Sequence, residues 1–326
     1  MTALLALAGI LSGALLLIVL LAAFTWHTAR KVESLLPPKG RFVDVPGARL
    51  HIREFGEDNK DGPPILMIHG LAGQLSHFTY GVAGQLAARH RVVVVDRPGS
   101  GHSTRAAGTP ADLSAQAAAL AALLRTLDLD PAFVVGHSLG GAIALALALE
   151  HPRRVAGLAL LAPLTHLRED VPPVFAALAI RSPLVRKLVA WTLAVPGAIR
   201  NSARTLDLVF GPEPAPKDFA TRGGGLLSLR PSAFLSASSD MQALPGHLPR
   251  LQARYAELRL PVHVLYGKDD RILDWKANGQ ALVDKVAGAR LELVEGGHML
   301  PLTQPAMTAG FIEAAVWSSS RNENMK

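Results

Sequence analysis

The sequence of 326 residues predicts an α/β protein with a mostly parallel, doubly wound sheet, an inserted helical segment and an apolar N-terminal helix. Three observations support this fold class. Short, continuously apolar runs alternate with helical stretches, the alternation stops over residues 164–257, and the N-terminus carries almost only apolar residues. Strands that are apolar at every position are buried on both faces, as in a parallel sheet. The alternation of strand with helix is typical of doubly wound folds.

The first segment, residues 1–30, is predicted to be a transmembrane anchor. From Ala3 to Phe24 the chain carries no charge, and a helix of that length spans roughly 33 Å, enough to cross a bilayer core. A cleavable signal peptide is the competing interpretation, but it needs a basic start and a small-residue cleavage site, which the stretch from Phe24 to His27 does not offer. Basic residues flank the run only on its C-terminal side. The positive-inside rule therefore predicts a single-pass anchor with the large domain in the cytoplasm.

The catalytic core is predicted in two parts, residues 40–163 and 258–318. A linker, Ser34–Gly40, leads into a hairpin of two β-rich runs, Arg41–Val45 and Arg49–Phe55, joined by Pro46-Gly47. The buried strands that follow are predicted at Ile65–Ile68, Val92–Val95, Phe133–Val135, Leu158–Leu161, Val262–Tyr266 and Leu291–Val294. The helices between and after them are predicted at Ser76–Arg89, Leu113–Leu127, Leu139–His151, Trp275–Val286 and Pro305–Trp317.

Residues 164–257 interrupt this pattern and are predicted to form a helical cap. The segment is rich in proline, contains the run Gly223-Gly224-Gly225 and includes apolar helical stretches such as Leu184–Leu193. A loop of that length inside a compact domain would be implausible without structure of its own. We expect the cap to lie over the carboxyl edge of the sheet.

The composition limits the possible partners. The net charge is +7, but the basic residues are scattered, with no long run and no interleaved aromatic residues, so nucleic acid is not a predicted partner. Attraction to an anionic membrane surface is a better use of that charge, and a generally basic surface is the simpler alternative. The chain has no cysteine, which excludes disulfides, thiolate metal sites and a cysteine nucleophile.

The strongest motif for chemistry is Gly136-His137-Ser138-Leu139-Gly140, placed between a Val-rich strand and an Ala-rich helix. In this context Gly-x-Ser-x-Gly predicts a sharp strand-to-helix turn that holds Ser138 at its apex with an exposed Oγ. The Leu139 N–H then points into the site at the N-terminus of the helix, where the dipole favours a developing oxyanion. An ordinary glycine-rich turn is the alternative.

Five motifs together resemble the α/β-hydrolase superfamily, in that family's order. They are Ile68-His69-Gly70-Leu71-Ala72-Gly73, Asp96-Arg97-Pro98-Gly99-Ser100-Gly101-His102-Ser103, Gly136-His137-Ser138-Leu139-Gly140-Gly141, Gly267-Lys268-Asp269-Asp270 and Gly297-His298. The resemblance spans roughly Phe42 to Trp317. It implies an eight-stranded sheet and a catalytic triad of serine, acid and histidine in that chain order.

The resemblance also assigns the other site residues. Asp270 is the expected acid, which accepts from His298 Nδ1, and the neighbouring Asp269 is the alternative partner. His298 is the expected base. The backbone N–H groups of Leu71 and Leu139 form the expected oxyanion hole. One departure is Gln304, where many relatives carry a glutamate shortly after the histidine, and we expect a structural role at that position.

These residues predict a serine hydrolase that cleaves carboxylic esters through an acyl-enzyme, an esterase or lipase acting on lipidic substrates such as monoacylglycerol. Two other functions remain open: a carbon–carbon bond hydrolase of ring-cleavage products, and a non-catalytic hydrolase-fold protein that binds a lipid. Carbon–carbon bond hydrolases often carry tryptophan after the histidine, where this chain has Met299. No metal cluster, nucleotide-binding loop or flavin motif is visible, so no cofactor and no metal are expected.

Overall fold

A computed structural model describes residues 1–59, 61–167 and 173–323 and contains a single mixed β-sheet. Its strands run in the order β1-β2-β4-β3-β6-β7-β8-β9, and the two-residue strand β5 pairs with β2 at its side. The strand bounds are β1 Arg41–Val45, β2 Ala48–Phe55, β3 Ile65–Ile68, β4 Val92–Val95, β5 Thr104–Arg105, β6 Ala132–His137, β7 Val155–Leu161, β8 Val262–Gly267 and β9 Arg290–Val294. The antiparallel pairs involve β2, and every other pair is parallel. The predicted hairpin followed by a parallel sheet is confirmed, with β5 as an addition.

One hydrophobic core lies on each face of the sheet, and the central strands contribute side chains to both. Successive side chains of a strand point to opposite faces. Leu66 and Ile68 accordingly belong to one core, which includes the helices α4 and α5, while Ile65 and Met67 belong to the other, which includes α3 and α12. All four residues of β3 are buried. Coverage on both faces explains why these strands read as unbroken apolar runs.

Twelve α-helices surround the sheet and form the N-terminal and cap segments of the described chain. Their bounds are α1 Thr2–Leu35, α2 Ser76–Thr79, α3 Val82–Leu86, α4 Leu113–Thr126, α5 Leu139–Glu150, α6 Pro183–Trp191, α7 Ala194–Arg200, α8 Ser202–Phe210, α9 Pro231–Gln252, α10 Ala281–Val283, α11 Leu300–Thr303 and α12 Pro305–Glu323. Short 3₁₀ turns lie at Pro152–Arg154, Pro173–Leu178, Gly225–Leu229 and Tyr255–Glu257, and a π turn lies at Lys276–Gln280.

Two predicted helices are divided in the structure. The helix expected at Ser76–Arg89 is α2 and α3, separated at Gly81, whose backbone leaves the helical region with φ −163°. The helix expected at Trp275–Val286 is a π turn followed by the three-residue α10. Here the side chain of Asn278 turns inward, and its Oδ1 accepts from the N–H groups of Thr165 and His166. The π turn therefore replaces regular helix here, and it directs the Asn278 side chain toward the backbone of the loop at Thr165.

The elements between β7 and β8 are helical throughout their described part. They comprise α6 to α9 with three of the 3₁₀ turns, and residues 168–172 of the predicted cap lie outside the described residues. The longest of them, α9, packs against α4 and α5 of the core. The inserted segment is therefore supported by the core along this helix.

Helix α1 is longer than the predicted span and takes in the start of the predicted linker. Residues 2–20 are exposed throughout, and the helix is long and apolar enough to cross a membrane. From Leu21 onwards one face becomes covered, with Thr25, Ala29 and Val32 buried. Spacings of four and three residues place these side chains on one face of the helix, so α1 continues unbroken from an exposed apolar rod into a packed element.

Candidate active site

Ser138 lies at the sharp turn between β6 and α5. Its backbone has φ 54° and ψ −119°, a conformation that costs a non-glycine residue about 1–3 kcal/mol and is kept only where the surroundings impose it. The surroundings do impose it, because Ser138 N donates to Leu161 O at 3.0 Å and its carbonyl oxygen accepts from Gly141 N and Leu164 N. The residue is only partly buried, so the turn presents its hydroxyl to the site.

The two glycines around Ser138 are required by close packing. A Cβ on Gly140 would lie 2.1 Å from the carbonyl oxygen of Ile68, and a Cβ on Gly136 would lie 2.5 Å from the carbonyl oxygen of Gly140. Backbone atoms in a buried strand and helix cannot move aside for a side chain. The spacing Gly-x-Ser-x-Gly therefore follows from two contacts, one between Gly140 and strand β3 and one between Gly136 and the start of α5.

Asp270 and His298 meet at the carboxyl ends of β8 and β9. His298 Nδ1 donates to Asp270 Oδ2 at 2.7 Å, and both side chains are almost fully buried. The other carboxylate oxygen, Asp270 Oδ1, accepts from the N–H groups of Ile272 and Leu273. Asp269 is exposed, so Asp270 and not its neighbour is the partner of the histidine in this structure. With Nδ1 bound to the carboxylate, Nε2 of His298 is the nitrogen free to accept a proton.

His137 packs His298 against the turn that carries Ser138. The two imidazole centroids are 4.9 Å apart, and His137 Nε2 donates to the carbonyl oxygen of His298 at 2.9 Å. Burial, followed by the neighbouring His298, lowers the pKa of His137 well below its ordinary value. Within the described chain, Ser138 Oγ makes no hydrogen bond to His298, and catalytic hydrogen bonds of this kind often tighten only when substrate binds.

Leu71 and Leu139 supply backbone N–H groups on either side of Ser138. A Cβ on Gly70 would lie 2.9 Å from Ser138 Cβ, so the loop that carries Leu71 runs directly beside the serine. Leu139 is the first residue of α5, where the helix dipole favours negative charge. In the described part of the chain, neither N–H donates to a protein acceptor. Both are therefore available to an oxygen bound beside Ser138.

A buried arginine, Arg97, fixes the loop beside the serine. Its Nε donates to His69 O and its Nη2 to Gly70 O, both at 3.0 Å. Its Nη1 donates to Asp240 Oδ2 in the cap at 2.7 Å. His69 supports the same loop, because its Nδ1 donates to Gly70 O and its Nε2 accepts from Arg97 N. Burial, with the Arg97 charge as the second cause, lowers the pKa of His69 well below its ordinary value.

Sequence reasoning identified Arg97 as part of a motif but missed Asp240. A weak signal existed, since Asp240 is the only acidic residue in α9, and a single carboxylate among small and apolar residues indicates a buried ion pair. Its other oxygen accepts from Arg105 Nη2 at 2.6 Å. The carboxylate therefore forms ion pairs with two guanidinium groups at the junction of cap and core.

Apolar residues of the cap lie next to the histidine loop. Phe210, Met299 and Leu302 form a buried cluster, and Phe219 packs on Phe210 with ring centroids 4.8 Å apart. His77 faces Phe219 at 6.0 Å, and burial lowers the pKa of His77 to about 4. The environment around His298 is therefore both apolar and provided in part by the cap.

Further polar contacts connect the cap to the loop of His298. Glu213 Oε2 accepts from Gly297 N at 3.0 Å, and Glu213 Oε1 accepts from Gln304 Nε2 at 3.0 Å. Gln304 also donates to the carbonyl oxygen of Glu295 at 2.7 Å. Gln304 thus connects the cap residue Glu213 to the backbone at the base of the histidine loop.

A separate cavity of about 360 Å³ lies where the end of α1 meets the core. Its lining includes Leu36, Lys39, His51, Asp96 and Gln74, but not Ser138, Asp270 or His298. Asp96 is fully engaged there, because its carboxylate accepts from His51 Nδ1 and from the N–H groups of Leu75 and His102. This aspartate therefore braces loops and does not take part in the arrangement around Ser138.

Comparison with known proteins shows the class to which this fold belongs. A family model described as the alpha/beta hydrolase fold matches residues 63–305. Because the match covers most of the chain, the protein belongs to the α/β-hydrolase fold family.

Individual relatives carry diverse names. The magnesium-chelatase 30 kDa subunit of Rhodobacter capsulatus is 32% identical over 257 residues, which cover 74% of this chain and 82% of that protein. A 2-hydroxymuconate semialdehyde hydrolase of a Pseudomonas species is 34% identical over 127 residues, 38% of this chain and 44% of that protein. A crystal structure of a bacterial membrane phospholipase A superposes with a TM-score of 0.69 at 23% identity and covers 98% of both chains.

Proposed function

We propose that the protein is a serine hydrolase that cleaves carboxylic esters, with Ser138, His298 and Asp270 as its catalytic triad. The observation that carries the proposal is the buried hydrogen bond between His298 Nδ1 and Asp270 Oδ2, formed on a loop packed against the residue before Ser138. A carboxylate in this position fixes the tautomer of the imidazole and stabilises its protonated form. A binding protein has no use for this arrangement beside a strained serine.

The reaction follows from the positions of these groups. Ser138 Oγ attacks the ester carbonyl carbon while His298 Nε2 takes the hydroxyl proton, and the carbonyl oxygen becomes an oxyanion held by the N–H groups of Leu71 and Leu139. The tetrahedral intermediate collapses, the bond to the leaving alcohol breaks, and His298 returns the proton to that alcohol. Water, activated by the same histidine, then hydrolyses the acyl-serine and restores the enzyme.

The surroundings of His298 favour lipidic substrates, such as monoacylglycerols, over small polar esters. Phe210, Phe219 and Met299 provide apolar surface beside the histidine, and burial of acyl-chain methylene groups on such surface contributes about 0.8 kcal/mol each. One relative is named as a subunit of a magnesium chelatase. In residues 1–59, 61–167 and 173–323, no group of three or more His, Asp or Glu side chains is placed to hold a metal ion. The ester proposal therefore rests on the chain's own serine site.

We also propose that α1 anchors the protein in a membrane as a single span, with the catalytic domain on the cytoplasmic side. Support comes from the exposure of residues 2–20 of an apolar helix and from Arg30 and Lys31, which follow the apolar run. Fusion of a reporter to the C-terminus, active only in the cytoplasm or only in the periplasm, tests this orientation. Activity of the periplasmic reporter alone contradicts it.

The catalytic proposal is tested with the full chain in detergent micelles, assayed against p-nitrophenyl esters from acetate to palmitate and labelled with a fluorophosphonate. Ser138→Ala is expected to lower turnover by on the order of 10³ or more and to abolish labelling. Ser114→Ala, which changes a serine of α4 bonded to Glu150, is the matched control and should retain both. An optimum at long acyl chains supports a lipase and an optimum at acetate an esterase.

Two other results separate the alternatives. Fluorophosphonate labelling of Ser138 without turnover of any ester favours a carbon–carbon bond hydrolase, which the resemblance to a 2-hydroxymuconate semialdehyde hydrolase also makes worth assaying. Absence of both labelling and turnover shows that the serine is not activated. That outcome contradicts the proposal and leaves a lipid-binding protein as the better reading.

A further inference from the structure

The outer surface of the cap exposes large apolar side chains that a soluble helix would normally bury. Leu184, Leu188 and Trp191 follow one another at spacings of four and three residues and therefore form a stripe on one face of α6. Leu184 is 81% exposed, and Leu193, in the turn before α7, is 59% exposed. The apolar stripe of α6 points away from the protein, as in helices that lie in a membrane interface.

The position of this stripe relative to α1 is set by direct packing. Helix α1 contacts α6, α7 and the 3₁₀ turn Gly225–Leu229. The covered face of α1 begins at Leu21 and Ala22, which are half-buried and which still belong to the uncharged apolar run that ends at Phe24. The protein body therefore reaches the level at which α1 enters the bilayer, and α6 and α7 are among the elements packed on that helix.

The charges on α6, α7 and the turn between them are all basic. Arg181, Lys187, Arg200 and Arg204 are exposed, and the sequence from Arg181 to Arg204 contains no acidic residue. Arg30 and Lys31, also exposed, follow the apolar run of α1 itself. Clusters of basic residues next to a membrane span are attracted to anionic lipid headgroups.

We propose that these residues form a membrane-docking face, by which the cap inserts apolar side chains into the interface of an anionic leaflet. The docking face consists of Leu184, Val185, Leu188, Trp191, Leu193 and Ile199, flanked by Arg181, Lys187, Arg200 and Arg204. Tryptophan is enriched at the level of lipid headgroups, which suits Trp191 at the end of the stripe. The proposal rests on the proposed anchoring by α1 and adds a second contact with the same bilayer.

The absence of cysteine from the chain permits single-site labelling of the full protein. Three variants, Leu11→Cys in the apolar run, Leu184→Cys in the docking face and Glu292→Cys on the exposed side of β9, are labelled with an environment-sensitive fluorophore. Each is reconstituted in vesicles of phosphatidylcholine, with or without phosphatidylglycerol, that contain a lipid carrying a nitroxide quencher on its acyl chain. Leu188→Cys provides a second label in the same face, and retained ester hydrolysis shows that each variant is folded.

We expect strong quenching at Leu11→Cys and Leu184→Cys and little at Glu292→Cys. Quenching at Leu184→Cys should rise several-fold when phosphatidylglycerol is present, and the double change Lys187→Glu and Arg200→Glu should remove that increase. Quenching at Leu11→Cys with none at Leu184→Cys and Leu188→Cys overturns the docking face and retains the anchor. No quenching at Leu11→Cys overturns the anchor itself. A blue-shifted, unquenched label at Leu184→Cys that depends on the protein-to-lipid ratio shows that a second copy covers the face, which also overturns the proposal.

Discussion

Asp240, in the longest helix of the cap, accepts a 2.7 Å hydrogen bond from Arg97, whose guanidinium also holds the carbonyl oxygens of His69 and Gly70. Both side chains of the pair are buried, with at most 1% of either exposed. The residue after Gly70 is Leu71, the proposed oxyanion donor. The position of a cap helix and the position of a backbone N–H beside Ser138 are therefore connected through one arginine.

Substitution of Asp240 should destabilise the protein strongly. Asp240→Ala leaves the guanidinium groups of Arg97 and Arg105 without their carboxylate, and removal of one partner of a buried pair costs about 3–5 kcal/mol. The midpoint of thermal unfolding in detergent micelles measures the effect. Glu257→Ala, which breaks an exposed pair with Arg254, is the control and should cost about 0–1 kcal/mol. Equal midpoints for the two variants would contradict a structural role for the buried pair.

The two neighbouring aspartates at the end of β8 should differ sharply in their effect on catalysis. Asp270→Asn is expected to lower kcat by on the order of 10³–10⁴, because an amide cannot hold His298 in the required tautomer with Nε2 unprotonated. Asp269→Asn alters an exposed residue and should leave kcat close to that of the wild type. Steady-state kinetics with the preferred p-nitrophenyl ester measure both. A large loss at Asp269 and none at Asp270 would reverse the assignment of the acid.

Two glycine substitutions should change stability in opposite directions. Gly140→Ala places a Cβ 2.1 Å from the carbonyl oxygen of Ile68, and overpacking of this kind costs about 1–3 kcal/mol or more. Gly246 is exposed within α9 and has no atom within 4 Å of the added Cβ, so Gly246→Ala should stabilise the helix by about 0.5–1 kcal/mol. The midpoints of thermal unfolding of the two variants test these predictions. A Gly140→Ala variant as stable as the wild type would show that the backbone of strand β3 can move away from the added Cβ.

The free energy of unfolding should decline as the pH falls below about 6.5, the ordinary pKa of a histidine side chain. Burial lowers the pKa of His77 to about 4 and that of His137 well below its usual range, whereas in the unfolded chain both accept a proton near about pH 6.5. Between these values the unfolded state binds more protons. The stabilisation is therefore fully present above about pH 6.5 and is lost toward pH 4, at about 1.4 kcal/mol per pH unit for His77 alone.

The midpoint of thermal unfolding, followed from neutral pH into the acid range, measures this loss. His77→Gln removes one of these two histidines and should flatten the decline. His27→Gln, which changes an exposed histidine of α1, is the matched control and should leave the slope unchanged. A slope that is the same in all three proteins would show that His77 does not remain neutral in the folded state.

Much of the sheet was predictable because burial on two faces leaves a direct trace in sequence. Residues of β3 and β4 are all buried, and each strand reads as an unbroken apolar run. The turn at Ser138 was predictable for another reason, because Gly-x-Ser-x-Gly between a strand and a helix is a local pattern that a single sequence contains. Asp270 was expected only because the chain resembles the α/β-hydrolase superfamily.

The features that the sequence did not predict depend on contacts between distant segments. The break at Gly81 and the π turn around Asn278 replace regular helix, and the latter does so to satisfy the backbone of Thr165. The pair of Arg97 and Asp240 joins residues 143 positions apart. Nothing adjacent to either residue in the chain specifies the other, and only the folded cap brings them together.

The unbroken course of α1 from Thr2 to Leu35 would make the proposed membrane anchor rigid. The part after Phe24 spans roughly 16 Å at 1.5 Å per residue, and its buried face at Thr25, Ala29 and Val32 prevents the domain from swivelling around it. With α1 in a bilayer, the height of the domain above the lipid and its orientation relative to α1 would therefore be fixed. If the proposed substrate is a lipid of the same bilayer, substrate encounter then becomes a search in two dimensions, in which lateral diffusion of lipid replaces tumbling of the protein.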